Sequence, residues 1–446
     1  MQFNSIEFLL AYLPVALLVF YGVRPAWRVS VLFMSSLAFY WFSGGAVALV
    51  LFGTTLVWGF AFAKALRARR SRLLLAIACT LPLLFLFVAK YLVFVTGVVG
   101  LPPPSLLLGL TLPAGISFYT FQVLSYFFDI YDGRERADSR FVHYGAFVSF
   151  FPHFIAGPIL RHSQLGSQLD RLATAAKVKP QIMAGLRLLV FGLAYKTLFA
   201  DFLSPLHERY VSGPATNSAD AVFSVLTYAG IIYFDFWGYS LMALGIAKLF
   251  GIDLPRNFLE PYRSRSPREF WRRWHVTLSY WLRDYLYLRI GGNTNYARNI
   301  LLVFLACGLW HGAGWNFLAW GAYHALAVLA YHAVRPAWDR WPAAVQTALT
   351  FAVVAAGWPL FYLDLGGYAQ LMSAIGHLHF AIPSVYALGD WLQLGLAGLW
   401  VFGFSEEKYL FGEGARRWAN PVLLGAVAAT CVLFFSYSRT FIYFQF

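Results

Sequence analysis

Long apolar blocks alternate with short basic stretches along almost the whole chain. The blocks fall near residues 6–23, 30–43, 46–65, 73–99, 105–131, 184–203, 219–250, 299–333, 344–365, 391–405 and 419–437. A helix needs about 20 apolar residues to cross a hydrocarbon core of about 30 Å. The pattern therefore predicts an all-α polytopic membrane protein with about 10–12 crossings. Several blocks are too short for an upright span and are expected to be tilted, re-entrant or enclosed by protein. No internal repeat is visible, and residues 1–446 read as one membrane-embedded domain.

Two stretches interrupt the alternation. Residues 141–160 carry Pro152, Gly157 and Pro158 inside an apolar run. Broken backbone at membrane depth persists only where protein or a cavity surrounds it. Residues 161–183 mix charged and apolar positions and suit a helix lying on the cytoplasmic surface. Arginines follow the first, third and fifth blocks (Arg24 and Arg28; Arg67, Arg69, Arg70 and Arg72; Arg134, Arg136 and Arg140). The positive-inside rule makes those loops cytoplasmic, the N-terminus external, the segment 256–289 internal and the C-terminus external. The first block lacks the basic start of a signal peptide and reads as a retained span.

Charge alters the picture little. The net charge of +14 could suggest nucleic acid, but the basic residues lie in the loops between apolar blocks, so a membrane surface accounts for them. Charged residues are only 12% of the chain, about half the share of a soluble domain. Aromatics, at 19%, are expected at the interfaces and around an internal cavity. Cys79, Cys307 and Cys431 fall within apolar runs without disulfide or metal spacing, and no metal is expected. His377 and His379 form an H-x-H pair that lacks a third ligand.

Chemistry concentrates in two places. Residues 256–292 read RNFLEPYRSRSPREFWRRWHVTLSYWLRDYLYLRIGG. Ser266, Pro267 and Glu269 form a capping box with proline at the first helical position, and Gly291 and Gly292 mark an end. The spacing predicts one amphipathic helix between them, with Trp271, Trp274, His275, Leu278, Leu282 and Tyr285 on its buried face. The same pattern suits a basic interfacial anchor, although an anchor does not need a histidine between tryptophans. Residues 299–324 read NILLVFLACGLWHGAGWNFLAWGAYH. Counted from Arg298, His311 lies about 20 Å along a helix, well inside the hydrocarbon. An ionisable side chain there is expensive to hold and marks function by default; the plainer alternative is a neutral histidine bonded within a bundle. Gly308, Gly312 and Gly314 allow backbone or ligand to approach it. His324 and His332 lie nearer block ends and read as structural.

These segments resemble the membrane-bound O-acyltransferase family, in its bacterial branch of alginate O-acetylation and teichoic-acid D-alanylation membrane proteins. The resemblance rests on NFLEPYRSRSPREFWRRWHVTLSYWLRDYLY and GLWHGAGWNFLAWGAYH. It extends to residues 113–133, 147–162 and 233–252 and to the terminal FIYFQF. The motif-bearing core then spans 113–446, behind N-terminal spans in 1–112. The resemblance implies tilted helices ringed around a central funnel or tunnel, with His311 as principal catalytic histidine and His275 as the second. Trp237 and Leu241 stand where the family pattern has a small and a polar residue, which leaves the polymer open.

The resulting expectation is acyl transfer, acetyl in the first place, from a cytoplasmic thioester to a hydroxyl of a cell-surface or exported polysaccharide. His311 is the candidate base; His275 would orient the acyl group, donate to the thioester oxygen or assist proton transfer. Trp271, Trp274, Trp281, Trp310 and Trp315 would wall the tunnel against water. Asn316 or a backbone N–H near Gly312 would stabilise the oxyanion. Arg263, Arg265, Arg268, Arg272 and Arg273 would bind a phosphate-bearing donor such as acetyl-coenzyme A, unless they serve only topology and anionic lipid. Tyr443 is a candidate acyl relay, against the alternative of an interfacial aromatic belt. No tightly bound cofactor is expected. The expected partners are membrane lipid, polysaccharide machinery and a periplasmic or extracellular partner acyltransferase, in a bacterial cytoplasmic (inner) membrane. Two alternatives stand: D-alanyl transfer from a carrier protein to teichoic acid, and a transporter or channel for acyl donor or glycan.

Overall fold

A computed structural model describes residues 1–102, 113, 115–154, 157–176, 178, 180–212, 217–378, 387–412, 420–435, 439 and 441, the side chain of Ser212 apart. The described residues are overwhelmingly helical and include no β-strand. Among the described residues, six helices are long and apolar enough to cross a membrane: Pro25–Ala68, Arg72–Val98, Ile182–Val211, Ser218–Leu249, Trp315–Trp338 and Ala343–Phe361. Glu7–Gly22 and Pro421–Leu433 are shorter apolar helices. The protein is thus an all-α polytopic membrane protein, with many apolar blocks delivered as shorter pieces. Gly45 leaves the helical region within Pro25–Ala68 (φ 74°, ψ −172°), dividing that stretch into two legs that match the blocks at 30–43 and 46–65. Only glycine adopts such a backbone readily.

The chain divides into two compact units, residues 1–189 with 242–255, and residues 190–241 with 256–446. In the first unit the interrupted stretch is broken as its prolines and glycines predict. Helix Phe141–Ser149 stops at Phe150, and a short turn follows over Phe151–Phe154. The break frees the Phe151 N–H, which donates to the buried Ser36 Oγ at 3.1 Å. The expected surface helix covers His162–Thr174 and buries Leu165, Leu169 and Leu172. Buried Arg28 donates to the carbonyl of its C-cap, Ala175, at 2.7 Å.

His162 opens that helix between two carboxylates. Nδ1 lies 3.1 Å from Glu135 Oε2, and Nε2 lies 3.0 Å from Asp138 Oδ2. Both ring nitrogens can donate only in the imidazolium. Burial opposes that charge, but Asp138 and Glu135 outweigh it and hold the His162 pKa up at about 9, from an ordinary 6.5. Tyr126 completes the clamp by accepting the Asp138 N–H at 2.7 Å.

In the second unit, helix Ser218–Leu249 supplies Asp235, which shares Lys196 with Asp201 in a buried ion triad (2.9 and 2.7 Å). Buried Glu406 accepts from Tyr195 Oη (2.7 Å), Tyr233 Oη (2.8 Å) and Trp237 Nε1 (2.8 Å). Trp237 is therefore anchored by its indole N–H as well as by its bulk. The expected helix over 267–291 is broken in two. Pro267–Arg273 starts where the capping box predicts, with the Ser266 hydroxyl accepting the Glu269 N–H at 3.1 Å. Val276–Leu282 follows, and His275 between them lies in the left-handed region (φ 43°, ψ 54°). Trp274, His275, Leu278, Leu282 and Tyr285 are nonetheless buried, so the helical spacing located the buried face without locating the break.

Because the His162 pKa is raised on folding, its clamp is fully stabilising below about pH 6.5 and is lost as pH rises through about 9. Cleavage of the loop 133–140 by a protease in detergent should therefore accelerate with a midpoint near 9. His162→Gln should lower stability by about 1.5–3 kcal/mol at pH 6 and by much less at pH 10, measured as thermal unfolding.

Candidate active site

His311 is the last residue of helix Tyr296–His311, and the chain turns through Gly312 and Gly314 into helix Trp315–Trp338. The glycines serve close approach. A β-carbon on Gly308 would collide with the carbonyl oxygen of Phe317, and one on Gly321 with that of Phe304. One on Gly312 would enter the Phe317 ring. The two helices thus meet backbone to backbone, the usual role of small residues where membrane helices cross.

The imidazole of His311 is buried in an aromatic cage. Its neighbours are Trp310, Trp320 and Phe361, with ring centroids at 5.0, 5.1 and 5.1 Å. Trp310 also meets His275 edge to face, at 5.8 Å. One indole therefore touches both histidines singled out from the sequence. On its other side His275 packs on Phe236 at 4.8 Å. Burial pushes the His275 pKa down to about 3, so its ring is neutral at physiological pH.

Asn257, which the sequence pattern does not single out, organises the break at His275. Its backbone carbonyl accepts the Val276 N–H at 2.9 Å. Its side-chain Oδ1 accepts from Thr277 Oγ1 at 2.7 Å and lies 3.2 Å from His275 Nδ1. Next to it, the Leu259 N–H donates to the Arg273 carbonyl at 2.9 Å.

A cavity of about 240 Å³ opens beside these elements. Arg268, Arg272 and Arg283 stand at its exposed side, Trp271, Tyr287 and Tyr296 line it, and Phe304, Cys307 and Val328 form its buried side. Cys307 lies one helical turn before His311. Trp271 packs edge to face on Trp320 at 5.4 Å, and Trp320 in turn on His311. A cationic mouth over an apolar, aromatic interior suits a ligand with a charged head and a thin, less polar arm.

The structure sorts the remaining candidates. Arg268 and Arg272 line the cavity. Arg273 pairs with Glu269 at 2.6 Å. Arg263 donates to the carbonyls of Val401 and Phe404, at the end of helix Leu388–Gly403. Arg265 is exposed, and its carbonyl accepts from Trp338. Trp274 and Trp281 are buried, packing on Trp358 and Tyr285. Trp315 is 58% exposed. The Asn316 side chain donates one N–H to Leu360 O at 2.9 Å, and the Gly312 N–H donates to Gly308 O at 3.2 Å. Tyr443 and His379 lie outside the described residues. Arg283 was missed because it belongs to the π-helical turn Arg283–Tyr287, where the arginine cluster has already ended. His324, fully buried between Trp271 and Trp320, sits closer to this centre than its place near a block end suggested.

Residues 134–365 match the model of MBOAT, the membrane-bound O-acyltransferase family. A protein of Azotobacter vinelandii named "Probable alginate O-acetylase" is 34% identical over 88% of this chain and 79% of its own. A peptidoglycan O-acetyltransferase of Helicobacter pylori is 33% identical over 80% of this chain and 76% of its own. A teichoic acid D-alanyltransferase of Streptococcus thermophilus is 28% identical over 51% and 57%.

The crossing at Gly308 should not tolerate a side chain. Gly308→Val should cost about 1–3 kcal/mol or more through overpacking against a backbone carbonyl. Thermal unfolding in detergent should show it, whereas Gly425→Val, at a position with open space around it, should be neutral.

Proposed function

Because this chain belongs to the membrane-bound O-acyltransferase family, and so is a multi-pass membrane O-acyltransferase, we propose that it moves an acetyl group from a cytoplasmic thioester to a hydroxyl of an exported or cell-surface polysaccharide. The observation that carries the reading is the contact of His275 and His311 with one buried indole, Trp310, next to a cavity with an arginine mouth. The relatives with the higher identity and coverage act by name as O-acetyl transferring proteins, which favours acetyl over D-alanyl.

The chemistry follows from the surroundings. A hydroxyl is a weak nucleophile at neutral pH, and a positioned base raises its reactivity by about 10²–10⁴-fold. His311 takes the hydroxyl proton as the oxygen bonds to the acyl carbon. The carbon–sulfur bond then breaks, and the proton returns to the leaving sulfur. The cage of Trp310, Trp320 and Phe361 keeps water away, so that transfer outruns hydrolysis. Arg268 and Arg272, with Arg283, meet the phosphates of a donor such as acetyl-coenzyme A, and the thioester arm enters toward Cys307. The basic loops face the cytoplasm of a bacterial inner membrane. A partner acyltransferase on the outer side, with the polymer's own machinery, receives the group.

Two measurements test this. His311→Ala should abolish polymer acetylation in cells while the purified protein still binds acetyl-coenzyme A; retained acetylation would remove His311 from the chemistry. Arg268→Gln with Arg272→Gln should raise the apparent KM for acetyl-coenzyme A by about tenfold, the loss of one or two charge-assisted bonds. Arg273→Gln, which breaks only the pair with Glu269, should leave that KM unchanged.

A further inference from the structure

A histidine at φ 43° is uncommon, and such backbone persists where its surroundings over-determine it. Here Asn257 does so, holding three consecutive residues, His275, Val276 and Thr277. The orientation of its amide follows from chemistry. The Thr277 N–H, at 3.4 Å, is obligatorily a donor, so the Asn257 atom facing it is the oxygen. That same Oδ1 faces His275 Nδ1 at 3.2 Å. An amide oxygen only accepts, so Nδ1 carries the ring proton and Nε2 carries the lone pair.

We propose that Asn257 is a positioning residue for the acyl transfer, fixing His275 in the tautomer that presents Nε2 to the reacting groups as an acceptor. The proposal rests on the reading of His275 as part of the active site. It decides between the roles open to that residue. A neutral ring with its proton on Nδ1 cannot donate from Nε2 to the thioester oxygen. Accepting a hydrogen or a proton from a reacting group remains.

The surroundings make the tautomer testable by pH. Phe236, Trp310 and Asn257 pack on the His275 ring, and none of these three titrates. The titratable neighbours in sequence on the two packed helices are His311, beside Trp310, and Asp235, which is bound to Lys196 at 2.9 Å. Burial is the sole cause acting on the basicity of His275. Asn257→Asp keeps the shape and the acceptor oxygen, so the tautomer and the backbone turn survive. It also sets a carboxylate on Nδ1–H, which favours the imidazolium. Nε2 then becomes protonated, and useless as an acceptor, at a higher pH than in the wild type.

Transfer of radiolabelled acetyl from acetyl-coenzyme A in inside-out membrane vesicles, followed from pH 5 to 9, tests this. Asn257→Asp should work within about threefold of wild type at pH 9 and lose activity toward pH 5, its acid midpoint raised by about two to three units, while the wild type keeps its activity there. Asn257→Leu, which removes the acceptor, should lose about 10–100-fold across the range, the usual effect of removing such a supporting partner. An unshifted midpoint in Asn257→Asp overturns the proposal. So does a wild-type rate in Asn257→Leu. If Asn257→Leu fails to accumulate, the isosteric Asn257→Asp decides alone. His275→Ala separates the two levels: full activity there removes His275 from the active site altogether, whereas an inactive His275→Ala beside a fully active Asn257→Leu overturns only the tautomer.

Discussion

A chain that breaks its helices away from water has to find a partner for each backbone group that the break releases. That requirement shapes both units. In the first, the amide freed at Phe151 is taken up by Ser36. In the second, the groups freed around His275 are taken up by Asn257 and Leu259, and the carbonyls that end helix Leu388–Gly403 by Arg263. The breaks are also where the proposed chemistry sits. His275 occupies one, and His311 stands at the edge of the next. A continuous helix would satisfy its own backbone but would spread its side chains along a single stripe. Interrupting it lets two imidazoles from separate elements meet a common indole.

The charged groups divide the same way. Glu406 with its three donors, and Lys196 with its two aspartates, are buried polar sets whose members satisfy one another. Removing Lys196 would leave two buried aspartates without their cation, at about 3–5 kcal/mol. The guanidinium groups of Arg268, Arg272 and Arg283 instead gather at the mouth of a cavity. Mutual satisfaction is the mark of architecture, and convergence on a cavity is the mark of a ligand.

Local signals in the sequence were reliable. Ser266 and Pro267 start a helix where they predict, Gly291 lies in the left-handed region at φ 106°, and Gly312 lies at the turn beside His311. These residues act on their own backbone, so their effect can be read without the fold. The break at His275 could not be read, because Trp274-His275-Val276 contains neither glycine nor proline. Its cause is Asn257, 18 residues earlier. The arginine cluster was half legible. The i, i+4 pairing of Glu269 with Arg273 is written in the sequence, whereas the engagement of Arg263 at Val401 and Phe404 arises only once the fold is made. The aromatic face was located by periodicity, whereas the exposure of Trp315 depends on the fold.

The glycine crossing at Gly308 and Gly321 has a mechanical consequence. Two helices whose backbones touch at two points have no side chains there to act as rollers. Sliding one past the other by a turn would drive Phe304 or Phe317, one turn before each glycine, into the space that the glycines leave open. The hairpin that carries His311 is therefore a stiff post. In the proposed reaction the post keeps its place, and the substrates come to it.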